Sequence, residues 1–145
     1  MTASDPAQIV RAVLLLARRL RAARPDGTDL SLSGLGLLAT LHRDGPLPAA
    51  RLAQAEGLEP QSLSRLIAAL DKAGFIRRER DPADRRALLI ELTGAGRQAL
   101  ARDIGARRAW LEDAMARHLS PEERAILQQA AGPMLRLAAS KGGPE

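Results

Sequence analysis

The chain has no cysteine and no tyrosine, and only two aromatic side chains, Phe75 and Trp110. Without a thiol, disulfide scaffolds, thiolate nucleophiles, thiol redox sensing and thiolate zinc sites are excluded. Its two histidines, His42 and His118, are far apart in sequence. An enzyme needs a nucleophile, a metal cage or a titratable pair, so neither catalysis nor a metal or other cofactor is expected, and a lone helix-end His118 near Glu112 reads as a surface or capping residue. Long apolar runs are missing too. The longest uncharged stretch, Leu30 to His42, falls short of the ~20 residues that a membrane span needs. Asp5 and Pro6 spoil a signal-peptide reading of the N-terminus, which leaves the expectation of a soluble, cytoplasmic protein with no membrane partner. Val, Ile and Thr together supply only 12 residues, whereas Ala (28) and Leu (25) supply over a third of the 145. That balance favours helices over any large sheet.

One charge sign is in excess. Lys and Arg number 22 against 17 Asp and Glu, a formal net charge of +5, and 20 of the 22 are Arg. Guanidinium stays charged and forks onto phosphate or guanine, so nucleic acid is the partner to test against the placement of these residues. The length is that of one domain.

Asp5-Pro6-Ala7-Gln8 carries an N-cap, a proline at the first helical position and a capping-box partner. Ile9, Val13, Leu16, Ala17 and Leu20 then follow at helical spacing to about Arg24. Pro25-Asp26-Gly27 is a turn, and Ser31 or Ser33 caps a second helix that carries Leu35, Leu38 and Leu41 to Gly45. Pro46 and Pro48 open a short third helix ended by Gly57, and Pro60 opens a fourth ended by Gly74, a helix-turn-helix spacing. Leu63, Leu66, Ile67, Leu70 and Ala73 make the fourth helix's inner stripe. Gln61, Ser62, Ser64, Arg65, Ala69 and Lys72 are left facing out, with no acid before Asp71. Phe75–Arg80 and Ala87–Leu92 read as strands joined by Asp81-Pro82-Ala83-Asp84, with five Arg residues (77, 78, 80, 85, 86) on or beside the tip. Thr93 caps a long helix containing Leu100, Ile104, Leu111 and Met115, interrupted at Gly105. Ser120-Pro121-Glu122-Glu123 is a complete capping box for a last helix, which Gly132-Pro133 should kink. The tail after Ser140 is expected to be disordered.

The outward face of the fourth helix and the hairpin tip suit DNA. Gln pairs with adenine and Arg with guanine in the major groove, Ser62 and Ser64 reach phosphates, and a narrow hairpin carrying Arg85 and Arg86 can place a guanidinium in the adjacent minor groove.

Asp81-Pro82-Ala83-Asp84-Arg85-Arg86 followed by Ala87-Leu88-Leu89-Ile90-Glu91-Leu92-Thr93 resembles the wing of MarR-type transcriptional regulators, with its Asp-x-Arg tip and Leu-Thr exit. Leu52-Ala53, Ser64-Arg65-Leu66 and Leu70-Asp71-Lys72-Ala73-Gly74-Phe75-Ile76 with Arg78 resemble the same family's helix-turn-helix. The resemblance spans residues 5 to 139. It implies a mainly α fold with a small β-hairpin wing: one MarR-like domain over 1–145, a winged helix-turn-helix over 30–92, and dimerisation helices over 5–24 and 94–139. It further implies a homodimer, a repressor on a pseudo-palindromic double-stranded DNA operator, with Gln61 to Lys72 as recognition helix, Arg86 as the minor-groove residue and Asp84 holding it. Apolar surface on the outer helices supports a dimer independently. Leu16, Leu38, His42 and Trp110 are candidates for the cleft in which such regulators bind a small-molecule effector, though each is also ordinary core material. Gly132-Pro133 and Glu59, a poor N-cap, depart from the family pattern. The competing reading, a winged-helix module for protein interaction, would call for an apolar or acidic recognition face.

Overall fold

The computed structural model describes residues 5–25, 27–28 and 30–140; Asp26 of the expected turn and the tail beyond Ser140 lie outside them. Among the described residues no helix is long and apolar enough to cross a membrane. Helix α1 (Pro6–Ala22) starts as its sequence dictates, with the Asp5 carboxylate accepting from the Ala7 N–H at 3.0 Å and Pro6 in the first turn. Ser31, not Ser33, caps α2 (Leu32–Asp44), accepting from the Gly34 N–H at 3.0 Å. A short strand β1 (Leu47–Pro48) then precedes α3 (Ala49–Glu56). This corrects the expectation that Pro46 and Pro48 open the helix. Pro48 is the residue before the first turn, and Leu47 is drawn into strand geometry by a partner more than forty residues away, Ile90.

After α4 (Pro60–Lys72) come β2 (Ile76–Arg80) and β3 (Leu88–Leu92), each one residue shorter at its start than expected. The antiparallel sheet has the order β1-β3-β2, with Ile76 opposite Leu92 and Arg80 opposite Leu88. The core lies between this sheet and α2–α4. Leu37, Leu38 and Leu52 are fully buried there, beside Leu63, Ile67, Leu70, Ile76 and Ile90. Leucines at helical spacing on three short helices meeting one sheet face explain how so few β-branched residues suffice.

Helix α5 (Gly94–His118) runs unbroken through Gly105, and α6 (Pro121–Ala139) continues as one helix past Pro133. Neither expected interruption ends a helix. Proline at position 133 forfeits one amide donor, and the remaining ladder carries the helix on to Ala139. The Ser120 capping box is complete, Glu123 N–H to Ser120 at 3.1 Å and Ser120 N–H to the Glu123 carboxylate at 3.0 Å. The buried side of α5 is Gly96, Leu100 and Asp103, whereas Ile104 is 48% exposed. The chain groups into two compact units, Met1–Arg107 and Arg108–Glu145, the boundary falling inside α5.

Candidate nucleic-acid interface

Helices α3 and α4 are joined by Gly57-Leu58-Glu59. Gly57 takes the left-handed conformation (φ 62°) that lets α3 stop sharply, and the Leu58 N–H returns to the Ala53 carbonyl at 3.2 Å. Glu59 makes no side-chain cap, so α4 begins on Pro60 alone. At its other end the Phe75 N–H reaches the Leu70 carbonyl and the Gly74 N–H the Asp71 carbonyl, both at 3.0 Å, a Schellman closure that needs Gly74 at φ 81°. With both ends fixed, burial of Leu63, Ile67 and Leu70 sets the roll of the helix. Leu66 of the expected inner stripe is half-buried and Ala73 is exposed.

Gln61, Ser62, Ser64, Arg65, Ala69 and Lys72 are all exposed, as the periodicity requires. Ser62, Arg65, Ala69 and Lys72 form one stripe along the helix. Gln61, Ser64 and Arg65 line a shallow open hollow with Pro60. Among the described residues neither Arg65 nor Lys72 is ion-paired, so this face carries uncompensated positive charge.

The wing is shaped by two aspartates acting on backbone. Asp81 accepts from the Ala83 N–H at 2.8 Å and Asp84 from the Arg86 N–H at 3.1 Å, while main-chain bonds Asp81 N–H to Ala87 carbonyl and Ala87 N–H to Asp84 carbonyl, both 3.0 Å, close the loop. Asp84 thus engages the main chain of Arg86, and among the described residues it forms no ion pair with the guanidinium. Arg80 reaches across to the Arg85 carbonyl at 3.3 Å. The side chains of Arg85 and Arg86 are exposed at the tip.

Among the five hairpin arginines the sequence singles out Arg85 and Arg86 for the minor groove; the structure adds a difference in partners between the base and the tip. Arg77 lies between Glu91 (2.8 Å) and Glu79 (3.3 Å), and its guanidinium is pushed above its already high ordinary pKa, first by the hydrogen bond to Glu91 and then by the charge of Glu79. Arg78 faces Asp71 at the end of α4 at 3.6 Å. These two are compensated at the base of the wing, which leaves the tip as its positive end. Cross-strand pairing of residues 77 and 91 follows from the hairpin register, a signal available only once that register is known.

The residues expected to line an effector cleft are placed differently from one another. Leu38 is fully buried in the core, His42 is exposed in the last turn of α2, Leu16 is exposed on α1, and Trp110 is half-buried in the second unit.

A helix-turn-helix with an outward polar and basic second helix, followed by a two-stranded wing with an arginine tip, defines a winged helix-turn-helix DNA-binding protein. A family model described as MarR family matches residues 30–88. The chain is 37% identical over 126 residues to an HTH-type transcriptional regulator of Mycobacterium tuberculosis, covering 87% of each. Its structure is similar to that of a transcriptional regulator from Pseudomonas aeruginosa PA01, with a TM-score of 0.80, 31% identity and 94% of each chain covered. The chain belongs to the MarR family of transcriptional regulators. It shares the fold also with BpsR of Bordetella bronchiseptica, a protein whose DNA binding is regulated by 6-hydroxynicotinic acid, at 19% identity with a TM-score of 0.69 and 95% of each chain covered.

Proposed function

We propose that this regulator is a homodimeric repressor of a pseudo-palindromic operator, entering the major groove with Gln61, Ser62, Ser64, Arg65 and Lys72 of α4 and an adjacent minor groove with Arg86, supported by Arg85 and Asp84. The observation that carries the reading is the separation of charge on the wing. Arg77 and Arg78 face carboxylates, whereas Arg85 and Arg86 are held out on a tip stiffened by Asp81 and Asp84. A main chain already fixed at a narrow tip reduces the backbone part of the ordering entropy when its guanidinium meets the negative potential of a minor groove. Gln61 and Arg65 reach base edges, and the serines and Lys72 reach phosphates.

The dimer rests on the outer helices, each considered by itself. Helix α1 buries no residue and exposes Ile9, Val10, Val13 and Leu14; α6 buries none either and exposes Ile126, Leu135 (71%) and Leu137 (73%). Apolar area of that extent on two helices is expected to be covered by a second copy. Release by a small-molecule effector is part of the same proposal, in keeping with the regulation of its Bordetella fold relative by a small acid. With no thiol in the chain, the effector acts without covalent chemistry on cysteine.

Mobility shift of a genomic DNA fragment with and without random competitor, over a salt series, tests the reading. It expects a retained specific complex whose affinity falls steeply with salt as arginines release counterions. Loss of the complex at equal competitor would favour a protein-interaction module instead.

A further inference from the structure

Gly36 and Thr40 lie one turn apart on α2, and both serve a single side chain of the next helix, Glu56 of α3. The Thr40 hydroxyl, only 5% exposed, donates to Glu56 Oε1 at 2.5 Å, and a Cβ built on Gly36 would stand 2.8 Å from Oε2. Gly36 has a negative φ, so no backbone demand accounts for a residue that weakens the helix at that point. The room it leaves is filled by the Glu56 carboxylate.

Glu56 is the last residue of α3, where its charge meets the negative end of the helix dipole. Its position is therefore unfavourable for α3 taken alone. Alanine at 36 with apolar side chains at 40 and 56 would join the two helices without either local cost. What a hydroxyl–carboxylate bond adds to apolar packing is direction, because it tolerates one approach of the helices where leucines tolerate several.

Gly57-Leu58-Glu59 alone separates Glu56 from Pro60. The Gly57 and Leu58 N–H groups both return to the Ala53 carbonyl, which fastens this turn to the end of α3. Glu59 makes no side-chain cap, so the start of α4 takes its placing from the turn before it. We propose that Glu56, seated on Gly36 and Thr40, is a positioning residue for DNA recognition: it fixes the end of α3 on α2 and, through the turn, aims the first turns of α4. This role rests on the reading above, in which Gln61, Ser62, Ser64 and Arg65 of α4 meet the major groove. Hydrogen bonds to base edges are lost on small misplacement, whereas attraction to phosphates survives it. The seat of Glu56 thus governs discrimination between sequences more than total affinity.

Gly36→Ala is the sharpest test. It raises helix propensity and leaves the charge unchanged, while its methyl group takes the place of Oε2, the end of a flexible side chain that can swing away. The unfolding midpoint should hold or rise, and the amide shifts of Gly57, Leu58 and Ser62 should move. The ratio of affinity for a duplex selected by the protein to affinity for random duplex should fall roughly tenfold, the size of one hydrogen bond to a charged group. Thr40→Val should lower the ratio likewise. Thr40→Ser and Glu56→Gln, which keep a donor and an acceptor, should retain most of it. Unmoved amide shifts at residues 57, 58 and 62 in both Gly36→Ala and Thr40→Val overturn the seat, whatever the DNA result. Moved shifts with an unchanged ratio overturn its role in recognition. A ratio that falls only in step with the unfolding midpoint, and that Thr40→Ser fails to retain, marks a merely structural contact and overturns the proposal. A wild-type protein that selects no DNA refutes the function proposed above and the role in recognition with it, and the amide shifts still decide the seat.

Discussion

Arg107 and Asp103 lie one turn apart on α5 and close on each other where a surface pair would be expected: Nε stands 2.5 Å from Oδ1, and the Asp103 side chain is only 1% exposed. Nη2 lies 3.4 Å from Oδ2, and Nη1 donates to the Leu20 carbonyl at the end of α1. One guanidinium therefore satisfies a buried carboxylate and gives a second donor to a helix-end carbonyl that already accepts from the Ala23 N–H at 3.3 Å, tying α1 to α5. Removing one partner of such a pair strands the other. Asp103→Ala should destabilise the protein by about 2–4 kcal/mol, somewhat below the usual cost for a fully buried pair because Arg107 retains some solvent. Thermal and denaturant unfolding of Asp103→Ala, Arg107→Ala and the double variant check this. The double variant should cost clearly less than the sum of the singles.

Arg86→Ala should weaken DNA binding by roughly 1–3 kcal/mol with no change in unfolding midpoint, because a tip side chain contributes contact to DNA and little packing. Arg77→Ala is the matched control. Its guanidinium is engaged by Glu91 and Glu79, so its loss should be small in DNA affinity. Quantitative mobility shifts with folded variants compare the two, and an equal effect would contradict the division of the wing.

Gly96→Ala should cost about 1–3 kcal/mol or more and disturb the junction between α4 and β2. A Cβ there would meet the Phe75 carbonyl at 2.1 Å and the Leu92 side chain at 2.8 Å, and backbone cannot yield as a flexible side chain can. Unfolding measurements read the cost, and amide shifts at Phe75 read the displacement.

Glu59→Asp should stabilise α4 by about 0.5–1 kcal/mol. The longer side chain makes no capping bond, whereas aspartate keeps the favourable charge at the helix start and is short enough to accept from the first-turn amides. Denaturant unfolding decides it.

Leu135→Glu with Leu137→Glu should leave the secondary structure intact and yield a monomer by sedimentation, since both side chains are more than two-thirds exposed on α6. A dimer that survives the double change would place the contact elsewhere.

The winged helix-turn-helix was legible in the sequence because its signals are local. Pro60 and Gly74 bracket α4, three apolar positions set its roll, and Asp81 to Asp84 specify the turn between two short strands. What escaped depends on distant partners. The pairing of Leu47 with Ile90 turned a proline-flanked dipeptide into a strand, and no nearby residue announces it. Asp103 reads as solvated, yet it shares the face of Gly96 and Leu100, a spacing that in hindsight marks it as buried. Gly105 and Pro133 weaken helices intrinsically without ending them, and propensity yields there to the rest of the helical ladder. On the proposed site, the exposure of Gln61, Ser62, Ser64, Arg65 and Lys72 was legible from helical spacing, whereas the compensation of Arg77 needs the hairpin register and that of Arg78 the placing of Asp71 at the end of α4.

The central claim is that two copies of the α4 face and the Arg85-Arg86 tip read one duplex symmetrically. Selection of bound fragments from a random-sequence duplex pool tests it most directly. The account predicts an enriched inverted repeat whose half-sites lie about one helical turn apart, with enrichment at the major-groove positions relaxed in Gln61→Ala and Arg65→Ala. Enrichment of a single half-site, or of no motif at all, would contradict it.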